Sequence, residues 1–568
     1  MESTITRKQF VGMAALAGAG AAAVAAASPA VAEEAAEEQA EEAVPAWLGV
    51  EPVYEESQIS ETLEADVVVV GAGVSGVAAA RAAVEAGASV IILDKASGPQ
   101  GRGEDYTVIG GEIQKRYGRD TIPADPIIDE LMKECTYRNK RPILKRWADE
   151  CGAAFDWLLE AMPDIFICDV SRQDVPDESK DLYLAPHRYP DPEFYDYTTE
   201  QYPIFPVTMQ FLPAQAPTVV ANLEKAKSEG DVTECYGAFG KKLERDAEGR
   251  VTGVIFEYAD GTVVRAIGRN GVILATGDYG SNTAMIEEFC PEVIENGIGM
   301  YFSNRDVNDE RVNTGDGYRM AVWAGARMQQ SHAPMIHHMG TPGVMGIAPF
   351  LLLNKDGKRF CNEDLPGQQL ENQIEQQPDR YAYQIFDAKW TEELCHMPAG
   401  HGVACYYDNS TPVNAAFDRN YISDAKLAES VELGNTLMAE TLDELLAQLD
   451  LDAEAAKESI ARYNELATLG SDEDFNKKAE RVFAIETGPF YACRFGTASM
   501  LVCIGGIESD PDCHAYTDEW KQIPGLYVTG NMQGGRLAVE YPICCPGISH
   551  SMALTYGRIA GQNAAAGI

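Results

Sequence analysis

Gly71-Ala72-Gly73-Val74-Ser75-Gly76 has the residue types and spacing that hold a phosphate chain. The segment follows directly on the β-branched run Asp66–Val70, which suits a strand buried on both faces, and precedes a helix-like stretch to Ala86. In that order Gly71 permits a tight turn, Gly73 lets backbone approach a pyrophosphate, and Gly76 lets the helix pack on the strand. Ala72 and Ser75 fall at the helix N-terminus, where the amide dipoles favour an anion. A second buried-strand pattern, Ser89–Asp94, ends on an acid that can accept hydrogen bonds from a ribose, with Lys95 beside it. A nucleotide site is the expectation. His332, His337 and His338 cluster within seven residues, but no Cys or carboxylate completes a ligand set near them, so no metal is expected.

The elements that must position this cradle extend along the whole chain. Residues 249–277 read as a hairpin-like pair leading into a buried strand that ends on Ala275-Thr276-Gly277. Asn313-Thr314-Gly315-Asp316-Gly317 forms a further turn; Ile523–Asn531 gives another strand, and Pro546 opens a helix. At 568 residues, two or more domains are expected.

These blocks, in this order, resemble the flavoprotein subunits of fumarate reductases and succinate dehydrogenases and their relatives the 3-ketosteroid dehydrogenases, over about residues 65–565. The resemblance implies an α/β fold: a Rossmann-like FAD-binding domain of the glutathione-reductase type over 64–331 and 495–568, with an inserted α+β capping domain over 332–494. Carried over by position, Gly71, Gly73 and Gly76 would hold the pyrophosphate of FAD and Asp94 the adenosine ribose. Ala238 would lie by the adenine, Thr276 and Gly277 near the dinucleotide, and Asp316 and Asn531 near the ribityl chain and flavin. The backbone of Gly547, Ile548, Ser549 and His550, at a helix N-terminus, would face the pyrimidine ring, where a reduced flavin becomes anionic. No His falls in the segment around Gly103–Tyr106 where respiratory members attach FAD, so the resemblance implies non-covalent FAD.

The same family grips a dicarboxylate with His and Arg, because a buried carboxylate must meet opposite charge. Here its His-rich block reads Leu501-Val502-Cys503-Ile504-Gly505-Gly506, and Leu537–Cys544 holds neither His nor Arg where the family carries both. Fumarate is therefore not the expected acceptor. Tyr541-Pro542 followed by Pro546-Gly547 is similar to the Tyr-Pro-x-Pro-Gly of ketosteroid dehydrogenases with two residues inserted. In that branch the Tyr hydroxyl and the Gly N–H polarise a ring carbonyl, and a phenol can protonate a developing enolate. Tyr541, Gly547, His332 and Arg536 are the catalytic candidates, set against a packing role for Tyr541. Glu540 and Tyr106 are further polar residues expected near the flavin. The Tyr-rich stretch Tyr183–Tyr202 fits either a hydrophobic pocket or a surface loop.

Arg7 and Lys8, an Ala- and Gly-rich run from Phe10 to Ala27 and the site Ala30-Val31-Ala32 read as an export signal over 1–32 resembling the twin-arginine type. An acidic, disordered tether over 33–63 is expected to follow. No other segment is apolar enough to span a bilayer after signal removal, so an extracytoplasmic location is expected. The net charge of −43 disfavours nucleic acid and anionic lipid as partners. Thirteen Cys without CxxC or CxxCH spacing imply no haem or iron–sulfur centre, so electrons must come from a separate donor protein or membrane redox carrier. The reading is a reductase passing hydride from FAD to an uncharged, cyclic or aromatic small organic acceptor with an activated C=C bond. Its alternatives are a ketosteroid-type dehydrogenase and a flavin protein that only relays electrons or senses redox state.

Overall fold

The computed structural model describes residues 44–168, 182–187, 194–301, 303–337, 344–398, 405–406, 421–496 and 498–568. The expected signal, the tether up to residue 43 and His338 lie outside them. Residues 44–50 form a turn closed by Leu48 N–H on the Pro45 carbonyl, a unit separate from 51–568.

From Glu51 the acidic lead-in is folded rather than free. Glu51 pairs with Arg245 at 2.9 Å and Glu56 with Arg265 at 2.6 Å, and strand β1 (Glu61–Val70) begins inside the stretch expected to be tether. The cause is plain: acidic side chains that read as solvated charge meet Arg side chains 194 and 209 residues away in sequence. β1 continues into Val67, Val68 and Val69, none of them exposed, then into helix α1 (Val74–Glu85) and β2 (Val90–Asp94). Short strand β3 (Asp105–Thr107) and helix α2 (Ala124–Glu134) come next, followed by β4 (Val232–Tyr236), β5 (Val251–Tyr258), β6 (Val263–Leu274) and helix α3 (Asp316–Trp323). The chain goes on through β7 (Ala333–His337), β8 (Leu351–Asn354), α4 (Gly367–Glu375), β9 (Ala382–Phe386), β10 (Thr436–Ala439) and β11 (Phe490–Phe495). It closes with β12 (Ser499–Ile504), β13 (His514–Tyr516), β14 (Gln522–Val528) and helix α5 (Ile548–Ala566).

The fold is α/β. Its main sheet runs β13-β14-β6-β1-β2-β4, parallel from β14 to β4, with β13 antiparallel at one edge and the hairpin partner β5 paired to β6. The carboxyl ends of β1, β2 and β6 therefore lie side by side, where an open parallel sheet leaves a crevice for a ligand. Helix α5 covers α1 through a seam of small residues. A Cβ on Gly557 would stand 2.3 Å from the Ser75 carbonyl oxygen and one on Gly561 2.2 Å from that of Ala79, so only Gly allows this approach. This seam sets the start of α5 beside the start of α1. A second, antiparallel sheet, β8-β9-β11-β10, has its own apolar core around Leu351, Ile385 and Ile460. Strands β7 and β12 pair antiparallel between the two sheets in sequence, with Pro334 opposite Cys503. Among the described residues no helix is long and apolar enough to cross a membrane.

Candidate active site

A cleft opens at the carboxyl ends of the parallel strands, and the glycines of the fingerprint sit at its base in different surroundings. Gly71 turns at φ +109° with its missing Cβ only 2.4 Å from the Ala275 carbonyl oxygen, and Gly76 would put a Cβ 1.8 Å from the Gly71 oxygen. Gly73 differs: nothing in the protein comes within 3.9 Å of its would-be Cβ, which would project into the cleft it lines. Asp94, Lys95, Ala238, Thr276, Gly277, Asp316 and Asn531 share the lining. Asp94 accepts the amides of Ala72 at 2.7 Å and Ala96 at 2.8 Å, fixing the turn that carries the glycines. Lys95 Nζ lies 2.8 Å from Asp316 Oδ2; burial alone would raise the Asp316 carboxyl, but the ammonium holds it down at about 2.

Two buried acceptors in this cleft, Thr276 Oγ1 and Asn313 Oδ1, have no hydrogen-bond partner. Buried polar atoms in a glycine-lined cleft with a bare helix N-terminus suit a dinucleotide that brings hydroxyls and phosphates. Sequence reasoning missed several wall residues: Gln100, Arg102, Asn313 and Met320. Behind Asn313 the fully buried Asp278 accepts its Nδ2 at 3.0 Å and the Gly280 amide at 2.7 Å. Burial raises the Asp278 carboxyl and lowers the Arg102 guanidinium, and each group's charge opposes the other's shift. The acid directly after Thr276-Gly277 is the one local signal that could have exposed the pair.

Asn531 also borders a second, much smaller cavity and is the residue the two linings share. That cavity has apolar walls from Val502, Ile504 and Leu537, with Arg536 and Tyr541 as its polar side chains beside Asn531. Tyr541 is placed by strain and by a helix end. Val539 sits at φ +54°, an outlier for a β-branched residue, in a tight turn where Glu540 N–H donates to the Ala538 carbonyl at 2.6 Å. Such a conformation costs on the order of 1–3 kcal/mol and persists only where its surroundings over-determine it. Downstream, the Thr208 hydroxyl donates to the Pro546 carbonyl at 2.7 Å and the Thr107 amide to Gly547 O at 3.3 Å, so the loop before α5 is tied to two separate segments. Gly547 caps the helix at φ +83°, and His550 Nδ1 bonds the Asp105 carbonyl at 2.8 Å. The Tyr541 hydroxyl then reaches the first turn of α5, donating to Ser549 Oγ at 2.9 Å and accepting the Ser549 amide at 3.4 Å. Burial raises its pKa against both bonds, so it is held as a neutral donor.

Arg536 is 4% exposed, donates Nε to the Gln533 carbonyl at 3.0 Å and Nη2 to Asn531 Oδ1 at 3.2 Å, and leaves Nη1 without a partner. Burial pushes its guanidinium down to about 10, still charged at neutral pH. His332 is engaged at both ring nitrogens: Nε2–H donates to the Gln329 carbonyl at 2.7 Å, which makes Nδ1 the acceptor of the Tyr279 hydroxyl at 2.7 Å. Burial lowers it to about 4, and the ring abuts Gly505, which lines the small cavity. His337 instead binds Glu371 at 2.9 Å on α4. Tyr106 is fully buried with its hydroxyl on Gln215, a core position. Of the Tyr-rich stretch, Tyr183 is buried in a strand and Tyr195 bonds the Ile204 amide and carbonyl within its own loop.

The sequence profile of the FAD binding domain matches residues 66–545. The chain belongs to that family. This flavoprotein is 24% identical over 530 residues to the vinyl phenol reductase of Lactiplantibacillus plantarum, covering 88% of this chain and 96% of that protein. It is 25% identical to a fumarate reductase (cytochrome) of Shewanella frigidimarina over 523 residues, 88% of this chain and 77% of the other. Its fold is similar to the crystal structure of a 3-ketosteroid-Δ4-(5α)-dehydrogenase from Rhodococcus jostii, with a TM-score of 0.64 at 22% identity over 91% of this chain and all of that one. The protein is thus an FAD-dependent oxidoreductase, and the relatives expected from its glycine and C-terminal blocks are the ones found.

Proposed function

We propose that this flavoprotein is an exported reductase that saturates an activated C=C bond in an uncharged, cyclic or aromatic organic acceptor, with electrons drawn from a separate carrier. Residues 332–494 would form the cap over the acceptor, and FAD would be held without a covalent bond. The observation that carries this reading is the small cavity beside the dinucleotide cleft, sharing Asn531 with it, where Tyr541 faces apolar walls. The vinyl phenol reductase named above supports an aromatic acceptor of this kind.

Gly71, Gly73 and Gly76, the start of α1, Thr276 and Asn313 would hold the dinucleotide. Bound there, FAD supplies the hydride. Val502, Ile504 and Leu537 exclude water from the double bond, which raises the worth of each polar contact left inside. Tyr541 turns its O–H from Ser549 Oγ to the acceptor's oxygen or to the carbon that needs a proton. The Ser549 amide, already on Tyr541 Oη at 3.4 Å, then supports the charge left on that oxygen. Among the described residues Arg536 is the one cationic side chain lining the cavity, and His332 is committed to Gln329 and Tyr279, which argues against a dicarboxylate acceptor.

Anaerobic assay of the purified protein with reduced viologen and a panel of vinyl phenols, enones, steroids and dicarboxylates tests the reading. Fumarate turnover would sink it. Oxidation of 3-ketosteroids alone would favour the dehydrogenase, and reoxidation by dyes but by no organic acceptor would favour an electron relay.

A further inference from the structure

Among the described residues Arg536 stands out as a buried guanidinium without an ion pair. It is buried, its Nε and Nη2 are committed to Gln533 and Asn531, and Nη1 has no partner. The groups that act on it most strongly are Tyr318 from α3, Tyr541, Tyr556 from α5 and Cys513. Burial raises all four, so each is neutral around pH 7. A buried acid on this side, Asp278, reaches Arg536 only through Asn531 and acts on Arg102 as well, and a buried cation without an ion pair of its own is unfavourable unless an anion arrives. Arg536 is also one hydrogen bond from the cofactor cleft, through an Asn531 that lines both spaces. The pyrophosphate is the middle of FAD; held at Gly71–Gly76 it would leave the ring arm to run toward Asn531, so the missing charge belongs to the ring end.

We propose that Arg536 is the counter-cation to the negative charge that reduction places on the FAD ring, and that it sets the cofactor's reduction potential. Two electrons and one proton enter, FAD becomes the singly charged reduced form, and the guanidinium balances the remaining charge without giving up a proton. This rests on the ring lying at the small cavity, as in the reading above, but not on which acceptor is reduced. Arg536 acts as a positioning charge for the cofactor and not as a proton donor.

The test is a redox titration of the FAD-loaded protein with dithionite through mediator dyes. Arg536→Gln, which keeps hydrogen bonding but removes charge, is expected to weaken binding of reduced over oxidised FAD by roughly 10- to 100-fold, a fall of about 30–60 mV in the two-electron midpoint. Arg536→Lys should stay near the parent. In the parent protein the midpoint should fall by about 30 mV per pH unit from pH 6 to 9, because a tenfold proton change enters once per two electrons. That slope keeps the proposal open to test if Arg536→Gln does not fold. A slope of about 60 mV per pH unit would overturn it, as would an unchanged midpoint in Arg536→Gln. If Arg536→Gln keeps the midpoint and loses only acceptor affinity, the guanidinium serves the acceptor and the proposal falls while the reductase reading stands. A midpoint shift in a protein that reduces no acceptor would leave the proposal standing and the reductase reading refuted.

Discussion

The Tyr541 hydroxyl rests 2.9 Å from Ser549 Oγ, eight residues on, at the N-terminal turn of the last helix. The two-residue insertion relative to Tyr-Pro-x-Pro-Gly does not carry the ring away from that helix, and both ends of the loop are tied. If the hydroxyl polarises the acceptor or gives it a proton, Tyr541→Phe should keep FAD and fold while lowering turnover by roughly 10²–10⁴-fold. The loss should fall on kcat more than KM, because the contact is strengthened in the transition state. Activity within a few-fold of the parent would return Tyr541 to a packing role.

Gly73 and Gly76 predict opposite outcomes for the same substitution. Gly73→Val meets nothing in the protein within 3.9 Å of its Cβ, so the variant should fold, purify colourless and show a circular dichroism spectrum like that of parent stripped of FAD. Gly76→Val would drive its Cβ into the Gly71 carbonyl at 1.8 Å and should fail to yield soluble protein. Yellow Gly73→Val protein with stoichiometric FAD would mean that the phosphates pass elsewhere.

These glycines were legible in the sequence because each answers a demand made within a few residues of itself. The same holds for the buried run Val67–Val70, the hairpin of β5 and β6 and the cap of α5 at Gly547. Other parts of the site come from distant segments, and no local pattern announces them. Asn531 lies on the walls of two cavities only because β14 lies beside β6 in the sheet. The positive φ of Val539 breaks the preference of its own side chain and is held by tertiary contacts. The acids that lead into β1 read as solvated because their Arg partners are far away in sequence. Arg536 was visible as a polar candidate, but its unbalanced charge appears only once its neighbours are known.

FAD should leave the protein intact. No His lies in the segment Gly103–Tyr106, and the ring of the nearby His550 is engaged with the Asp105 carbonyl. Acid precipitation should therefore release all the yellow colour into the supernatant, identifiable as FAD by chromatography. Colour retained in the washed pellet would establish a covalent link and remove this part of the proposal.

Glu540 binds Asn372 Nδ2 at 2.6 Å and the Tyr541 amide at 2.8 Å, and the Glu134 carboxylate receives Gln369 Nε2 at 3.1 Å. Burial, with a smaller push from neighbouring acids, raises both from 4.5 to about 7. Such a group binds its proton more tightly in the folded protein than in the unfolded chain. Its contribution is therefore fully present below pH 4.5 and is lost as pH rises through about 7. Glu540→Gln, which mimics the protonated form, should match the parent near pH 5 and exceed it at pH 8 by up to roughly 3 kcal/mol, since each pKa unit is worth about 1.4 kcal/mol. Thermal midpoints of parent and variant at pH 5, 6.5 and 8 would show the two curves separating as pH rises. Parallel curves would mean that Glu540 is already charged in the folded protein at pH 5, and that a neighbouring donor compensates its burial.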